Sequence, residues 1–191
     1  MRSLPAPLMR LNVISTLFCL CGNVQQPGIY EAPFGVTLRA MIDLAGGLHA
    51  GRTLRAVLLG GAAGVFVGPA DLDVALTFEG TRAIGATLGS GVVMVFGESV
   101  DLLDIVRRIA EFFRDESCGQ CVPCRVGTVR QEELLARLRA RRPLGSEAEE
   151  MALLRDLGQV MRDASICGLG QTASSAVESA IFRLAIAGRP A

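Results

Sequence analysis

Apolar and polar positions change period several times along the chain. "VISTLFCLC", residues 13 to 21, is rich in β-branched and aromatic side chains and predicts a buried strand. "GNVQQPG" then carries turn chemistry before a second short strand, "IYE", so the two form a hairpin. In "TLRAMIDLAGG", Leu38, Met41, Ile42 and Ala45 recur at helical spacing, with Thr37 placed to cap the start and Gly46 at the left-handed stop. "LRAVLLGG" predicts a further apolar strand, and "GVVMVFG" another after loops around Pro69 and Gly80. This order predicts an α+β fold in which a helix covers one face of a small sheet, over residues 12–98.

The period becomes helical from Ser99. Leu102, Leu103, Ile105, Val106, Ile109, Ala110, Phe112 and Phe113 make the broad stripe of a helix that packs on more than one side. "VRQEELLARLRARR" predicts a second helix ending before Pro143 and Gly145. Ser146 and Glu149 form a capping box for a third, "EAEEMALLRDLGQVMR". Ser175 and Glu178 suggest another box, for a last helix stopping near Gly188 and Pro190. Residues 99–188 thus predict a bundle of about four helices.

Composition narrows the function. The 191 residues carry 19 basic and 19 acidic side chains, no Trp and one Tyr, Tyr30. A nucleic-acid binder would show a basic excess or stacking aromatics, so nucleic acid is not an expected partner. "LMRLNVISTLFCLCG" is interrupted by Asn12, Ser15 and Thr16 and lacks a cleavage site, which argues against an export signal. No stretch reaches the roughly 20 apolar residues of a membrane span, so direct membrane insertion is not expected. A reducing, cytoplasmic location follows, where six cysteines point to metal or free thiol rather than disulfides.

Four of those cysteines form a pattern. Cys118, Cys121 and Cys124 are spaced C-x2-C-x2-C, and Cys167 follows after 42 intervening residues. A helical hairpin from about 128 to 162 goes out and returns, which allows Cys124 and Cys167 to meet. Four thiolates are the ligand count of a [4Fe-4S] cluster. Structural zinc remains a competing occupant, although zinc usually draws on two separated pairs, often with His, and the single His49 lies far away in sequence. A disulfide pair and plain core cysteines are two further readings, the latter at odds with Gly119, Pro123 and Gly127 threaded through the triplet. An anionic cluster would suit Cys124 at a helix start and Arg125 beside it; the alternative for Arg125 is pairing with Glu116 or another carboxylate.

"ESCGQCVPCRVGT" with "SICGLGQTAS" resembles the iron-sulfur domain in the C-terminal part of the flavoprotein subunit, roughly 51 kDa, of NADH dehydrogenases. The same module occurs in NAD-linked formate dehydrogenases and NAD(P)-reducing hydrogenases. "CGNVQQPGIYEAPFGVTLRAMIDLAGG" likewise resembles the soluble-ligand-binding β-grasp (SLBB) domain. The resemblance implies a β-grasp domain followed by a four-helix iron-sulfur bundle. It implies a [4Fe-4S] cluster on Cys118, Cys121, Cys124 and Cys167, electrons arriving from FMN reduced by NADH, and a further Fe-S centre as acceptor. Its implied partners are a flavin/NADH-binding domain or subunit, a thioredoxin-like 2Fe-2S subunit and a downstream Fe-S subunit of a multisubunit oxidoreductase. The implied place is the cytoplasm, peripheral to the membrane through such a complex.

The departures matter too. Where the family often carries His, Thr and Glu around the triplet, this chain has Asp115, Val122 and Val126. "GLGQTA" is closer to the hydrogenase and formate dehydrogenase relatives. The Gly-rich flavin and NADH region that precedes the SLBB domain in the family is not found here, so FMN and NAD are expected on a partner or a missing N-terminal domain, and the chain alone is not expected to be a complete enzyme. "LLGGAAGVFVGP" does not fit G-x-G-x-x-G and reads as a tight turn against the sheet. Cys19 and Cys21, two apart on one strand face, read as buried free thiols, with paired metal ligation as the alternative, and His49 as a solvated loop residue. "LARLRARR" and "EAEEMALLRD" read as solvated faces, with subunit docking as the alternative. A competing function is a ligand- or subunit-binding assembly module with a structural zinc ion held by the four cysteines.

Overall fold

A computed structural model describes residues 2–3, 14–49 and 51–186. It divides between Val100 and Asp101 into two compact units. The first unit is built on one mixed sheet with strand order β1-β3-β2-β6-β4-β5, from β1 (Arg2–Ser3), β2 (Ser15–Gly22), β3 (Gly28–Pro33), β4 (Leu54–Leu59), β5 (Val65–Val67) and β6 (Val92–Gly97). β2 and β3 form the expected antiparallel hairpin, with Phe18 opposite Tyr30, and β2 runs parallel to β6. Alternation along β2 puts Phe18 and Leu20 into the core and leaves Leu17 52% exposed. The strand is therefore half-buried rather than buried, and residue 13 lies outside the described residues.

Two helices contribute to this unit. α1 (Leu38–Leu44) buries Leu38, Met41 and Ile42 with Phe18, Leu20, Tyr30, Val57, Leu59, Val93 and Val95 in one cluster. Thr37 caps it by accepting from the Ala40 N–H at 3.2 Å, and Gly46 follows with φ +82. The segment expected as loop around Pro69 and Gly80 contains a 3-10 turn, Pro69–Asp71, and α2 (Phe78–Ala83). Gly80 belongs to that helix because its N–H bonds the Thr77 cap, and a side chain there would strike the Ala75 carbonyl. "LLGGAAGVFVGP" is the β4–β5 hairpin, with Gly60 and Gly61 at positive φ in its turn; strand β5, not a phosphate-binding helix, follows.

The second unit is helical: α3 (Leu102–Asp115), α4 (Val122–Ala140), α5 (Glu147–Ala164), α6 (Gly168–Thr172) and α7 (Ser175–Glu178), the last running into a π-helical turn, Ser179–Arg183. α3 packs against both α4 and α7, α4 against α5, and α6 against α4 and α5. The Ser146–Glu149 capping box forms as expected. The Ser175–Glu178 box does not: Ser174 is the cap, without a side-chain bond, and the Glu178 carboxylate instead accepts from Arg162 at 2.6 Å. Gly188 and Pro190, where the last helix was expected to stop, lie outside the described residues.

Part of the charge on α4 and α5 pairs within the unit rather than facing solvent. Arg137 donates two hydrogen bonds to Glu150, at 2.7 and 2.8 Å, and the Leu144 N–H adds a third at 3.0 Å. Glu150 is 3% exposed, so this pair closes the helical hairpin. A tight α4–α5 approach adds to it, since a side chain at Gly127 would meet Met161 at 2.6 Å.

Candidate metal centre

All four cysteines of the pattern are free thiols, with Cys124 buried and Cys118 and Cys167 exposed. Local structure explains their placement. Cys121 is the N-cap of α4 in an extended conformation, and Pro123 in the first turn needs no hydrogen bond there. Cys124 follows one turn in, where Thr128 bonds its carbonyl at 2.8 Å. Cys118 lies in the preceding loop, which turns at Gly119 with φ +75. Cys167 is the N-cap of α6 and follows directly on the end of α5.

The hairpin returns that segment to the triplet. The backbone N–H of Ile166, and after it that of Cys124, outweigh burial and hold the Cys121 thiol below the ordinary range. A side chain at Gly170 would lie 2.8 Å from the Cys124 Cβ and 2.4 Å from the Ser165 Oγ, so α6 reaches α4 only because Gly stands there. Ser117 Oγ lies 3.3 Å from Cys124 Sγ. Among the described residues, however, no three His, Cys, Asp or Glu close tightly enough around one point to cage a single ion.

The donor set fits an iron-sulfur cluster: four free thiols, one of them the N-cap of α4, and a buried, unpaired Ser165 hydroxyl beside Cys124. Sequence reasoning did not single out Ser165, Ile166 or Gly170 as parts of this environment. The only signal for them was their nearness to Cys167 in "SICGLG". Arg125 donates to the Gly119 carbonyl at 3.5 Å, and no ion pair with Glu116 forms among the described residues.

Other candidates lie elsewhere. Cys19 is exposed and Cys21 half-buried, so the expected pair of buried thiols is corrected: both point to the face of β2 opposite the core. Burial, and secondarily Cys19, pushes the Cys21 thiol up. His49 is exposed. No helix among the described residues is long and apolar enough to cross a membrane.

Comparison with known proteins places these features. Residues 104–184 match the family model described as the NADH-ubiquinone oxidoreductase-F iron-sulfur binding region, and residues 17–64 match the SLBB domain. The F subunit of the NADH-quinone oxidoreductase of Mycobacterium tuberculosis is 41% identical over 166 residues, 87% of this chain and 37% of that protein. The HndC subunit of the NADP-reducing hydrogenase of Solidesulfovibrio fructosivorans is 36% identical over 157 residues, 82% of this chain and 31% of that protein. The crystal structure of an NAD+-reducing [NiFe]-hydrogenase in the H2-reduced state superimposes with a TM-score of 0.78 at 34% identity, over 93% of this chain and 30% of that one. The chain thus spans about a third of the length of these relatives.

Proposed function

Because residues 104–184 belong to the NADH-ubiquinone oxidoreductase-F iron-sulfur binding family and residues 17–64 to the SLBB family, we propose that this chain is the electron-transfer iron-sulfur module of an NADH-oxidising flavoprotein of the NADH dehydrogenase, formate dehydrogenase or hydrogenase type. Cys118, Cys121, Cys124 and Cys167 would hold the cluster as thiolates. When bound, a [4Fe-4S] cluster supplies one-electron chemistry, taking single electrons from reduced FMN and passing them to a further Fe-S centre. The flavin and NADH bind outside these 191 residues, on the same polypeptide or another. The thioredoxin-like 2Fe-2S subunit and a downstream Fe-S subunit complete the route, in a cytoplasmic complex at the membrane periphery.

The chain's own part is to present and tune four sulfurs. The observation that carries the reading is the close approach of α6, which Cys167 caps, to α4: a side chain at Gly170 would lie 2.8 Å from the Cys124 Cβ. The backbone N–H groups of Ile166 and Cys124 favour a charged Cys121 sulfur, as a metal-bound thiolate is. Anaerobic loading with iron and sulfide tests the proposal. About four irons per chain and the EPR signal of a reduced cubane are expected; stoichiometric zinc in anaerobically purified protein, with no iron uptake, would sink it in favour of a structural zinc site of four cysteines.

A further inference from the structure

Ser165 ends α5 as its C-cap, with φ −74 and ψ 142. It is 6% exposed, and its Oγ has no hydrogen-bond partner of regular geometry among the described residues. A buried hydroxyl left unpaired costs about 1–3 kcal/mol, so a native fold that keeps one has a recipient for it. The residue's other polar groups are already used. Its N–H donates to the Met161 carbonyl at 3.2 Å, and its carbonyl accepts from Gln171 Nε2 at 3.0 Å.

Those bonds fix the backbone and leave the hydroxyl facing the cysteines. A side chain at Gly170 would lie 2.4 Å from that hydroxyl and 2.8 Å from the Cys124 Cβ, so the hydroxyl stands beside a residue of the cysteine set. Ser117 is a different case. It is half-exposed and its hydroxyl is already partnered, by the Gly119 N–H at 3.4 Å and the Cys124 sulfur at 3.3 Å.

We propose that Ser165 is a potential-setting residue, its hydroxyl donating to a neighbouring cysteine sulfur when that sulfur is a cluster ligand. The proposal rests on the reading of the four cysteines as cluster ligands given above. Reduction adds one electron, drawn from the reduced flavin, and breaks no bond; the negative charge shared by the cluster and its four thiolates grows by one unit. An O–H aimed at a ligand sulfur stabilises the more negative form more strongly, and so raises the reduction potential. Burial strengthens the effect by keeping water from competing for that sulfur.

The test is redox titration of the reconstituted chain, followed by EPR, for wild type, Ser165→Ala and Ser165→Gly. Both variants are expected to load as much iron as wild type and to give a cubane signal. Their midpoint potentials should fall, with the reduction equilibrium shifted by up to about tenfold, ~59 mV for one electron. Full loading with an unchanged potential overturns the proposal. So does loss of iron from both variants while wild type loads, which makes Ser165 a packing residue only. Failure of wild type itself to bind iron overturns the reading of the centre, an outcome separate from the other two.

Discussion

Two kinds of cysteine are distinguished by what surrounds each sulfur. The Cys121 sulfur is met by backbone N–H groups, and Cys124 is buried beside Ser117 and Gly170, whereas Cys19 stands exposed on a sheet face. Accordingly, Cys124→Ala is expected to cut the iron retained after reconstitution by about tenfold or more, and Cys19→Ala to leave it at the wild-type level; iron analysis of the two variants checks this. The four-cysteine pattern is readable in the sequence because its spacing is itself the signal, and the structure adds that Cys121 and Cys167 each cap a helix. Ser165 was not, since a serine before a cysteine has no period, and its role depends on burial, which only the packing of Gly170 reveals. Cys19 misled for a related reason: alternation fixes which residues share a face, but not which face is covered.

Elements were legible where caps and periods agreed. α1 and α5 begin at the serine or threonine whose side chain caps them, and the β2–β3 hairpin turns in the Gly-rich loop. α2 and β5 were missed because six and three residues are too few for a period to stand out, and both sit among glycines. The buried Arg137–Glu150 pair was invisible as well, since the same charges on paper suit a solvated helix face. Glu150→Gln is expected to destabilise the helical unit by about 1–3 kcal/mol, measured by urea unfolding. Bonding to Arg137, aided by the Leu144 N–H and opposed by burial, holds the Glu150 carboxyl below the usual carboxylate range. Its contribution is therefore complete above the unfolded-chain value of about 4.3 and is lost as pH falls through the lower folded-state value. Wild type should lose stability in that acid window, and Glu150→Gln should lose less; thermal melts across pH read the difference. In the sheet unit, Gly22 has φ +86, and a side chain there would lie 2.1 Å from the Val95 carbonyl, which accepts from Asn23 at the β2–β6 junction. Gly22→Ala is expected to cost about 3 kcal/mol or more, read by the same unfolding assay.

At the scale of the whole molecule, residues 17–64 match the SLBB domain and residues 104–184 the iron-sulfur binding region, and the proposed role of the two together is to carry electrons. The Gly-rich turn of the first unit is a hairpin turn followed by a strand, so no phosphate cradle forms there. The reconstituted chain is expected to show no NADH-driven dye reduction, and to accept electrons once a reduced flavin domain of the same family is added; stopped-flow bleaching of the cluster absorbance would follow this. All of this depends on Cys118, Cys121, Cys124 and Cys167 binding one [4Fe-4S] cluster. Mössbauer spectroscopy of the chain reconstituted anaerobically with 57Fe and sulfide reads that cluster without any partner. About four irons per chain are expected, in the delocalised mixed-valence state of an oxidised cubane that is reducible by one electron. Iron that stays unbound, or a site that takes up only a single zinc ion, would contradict it.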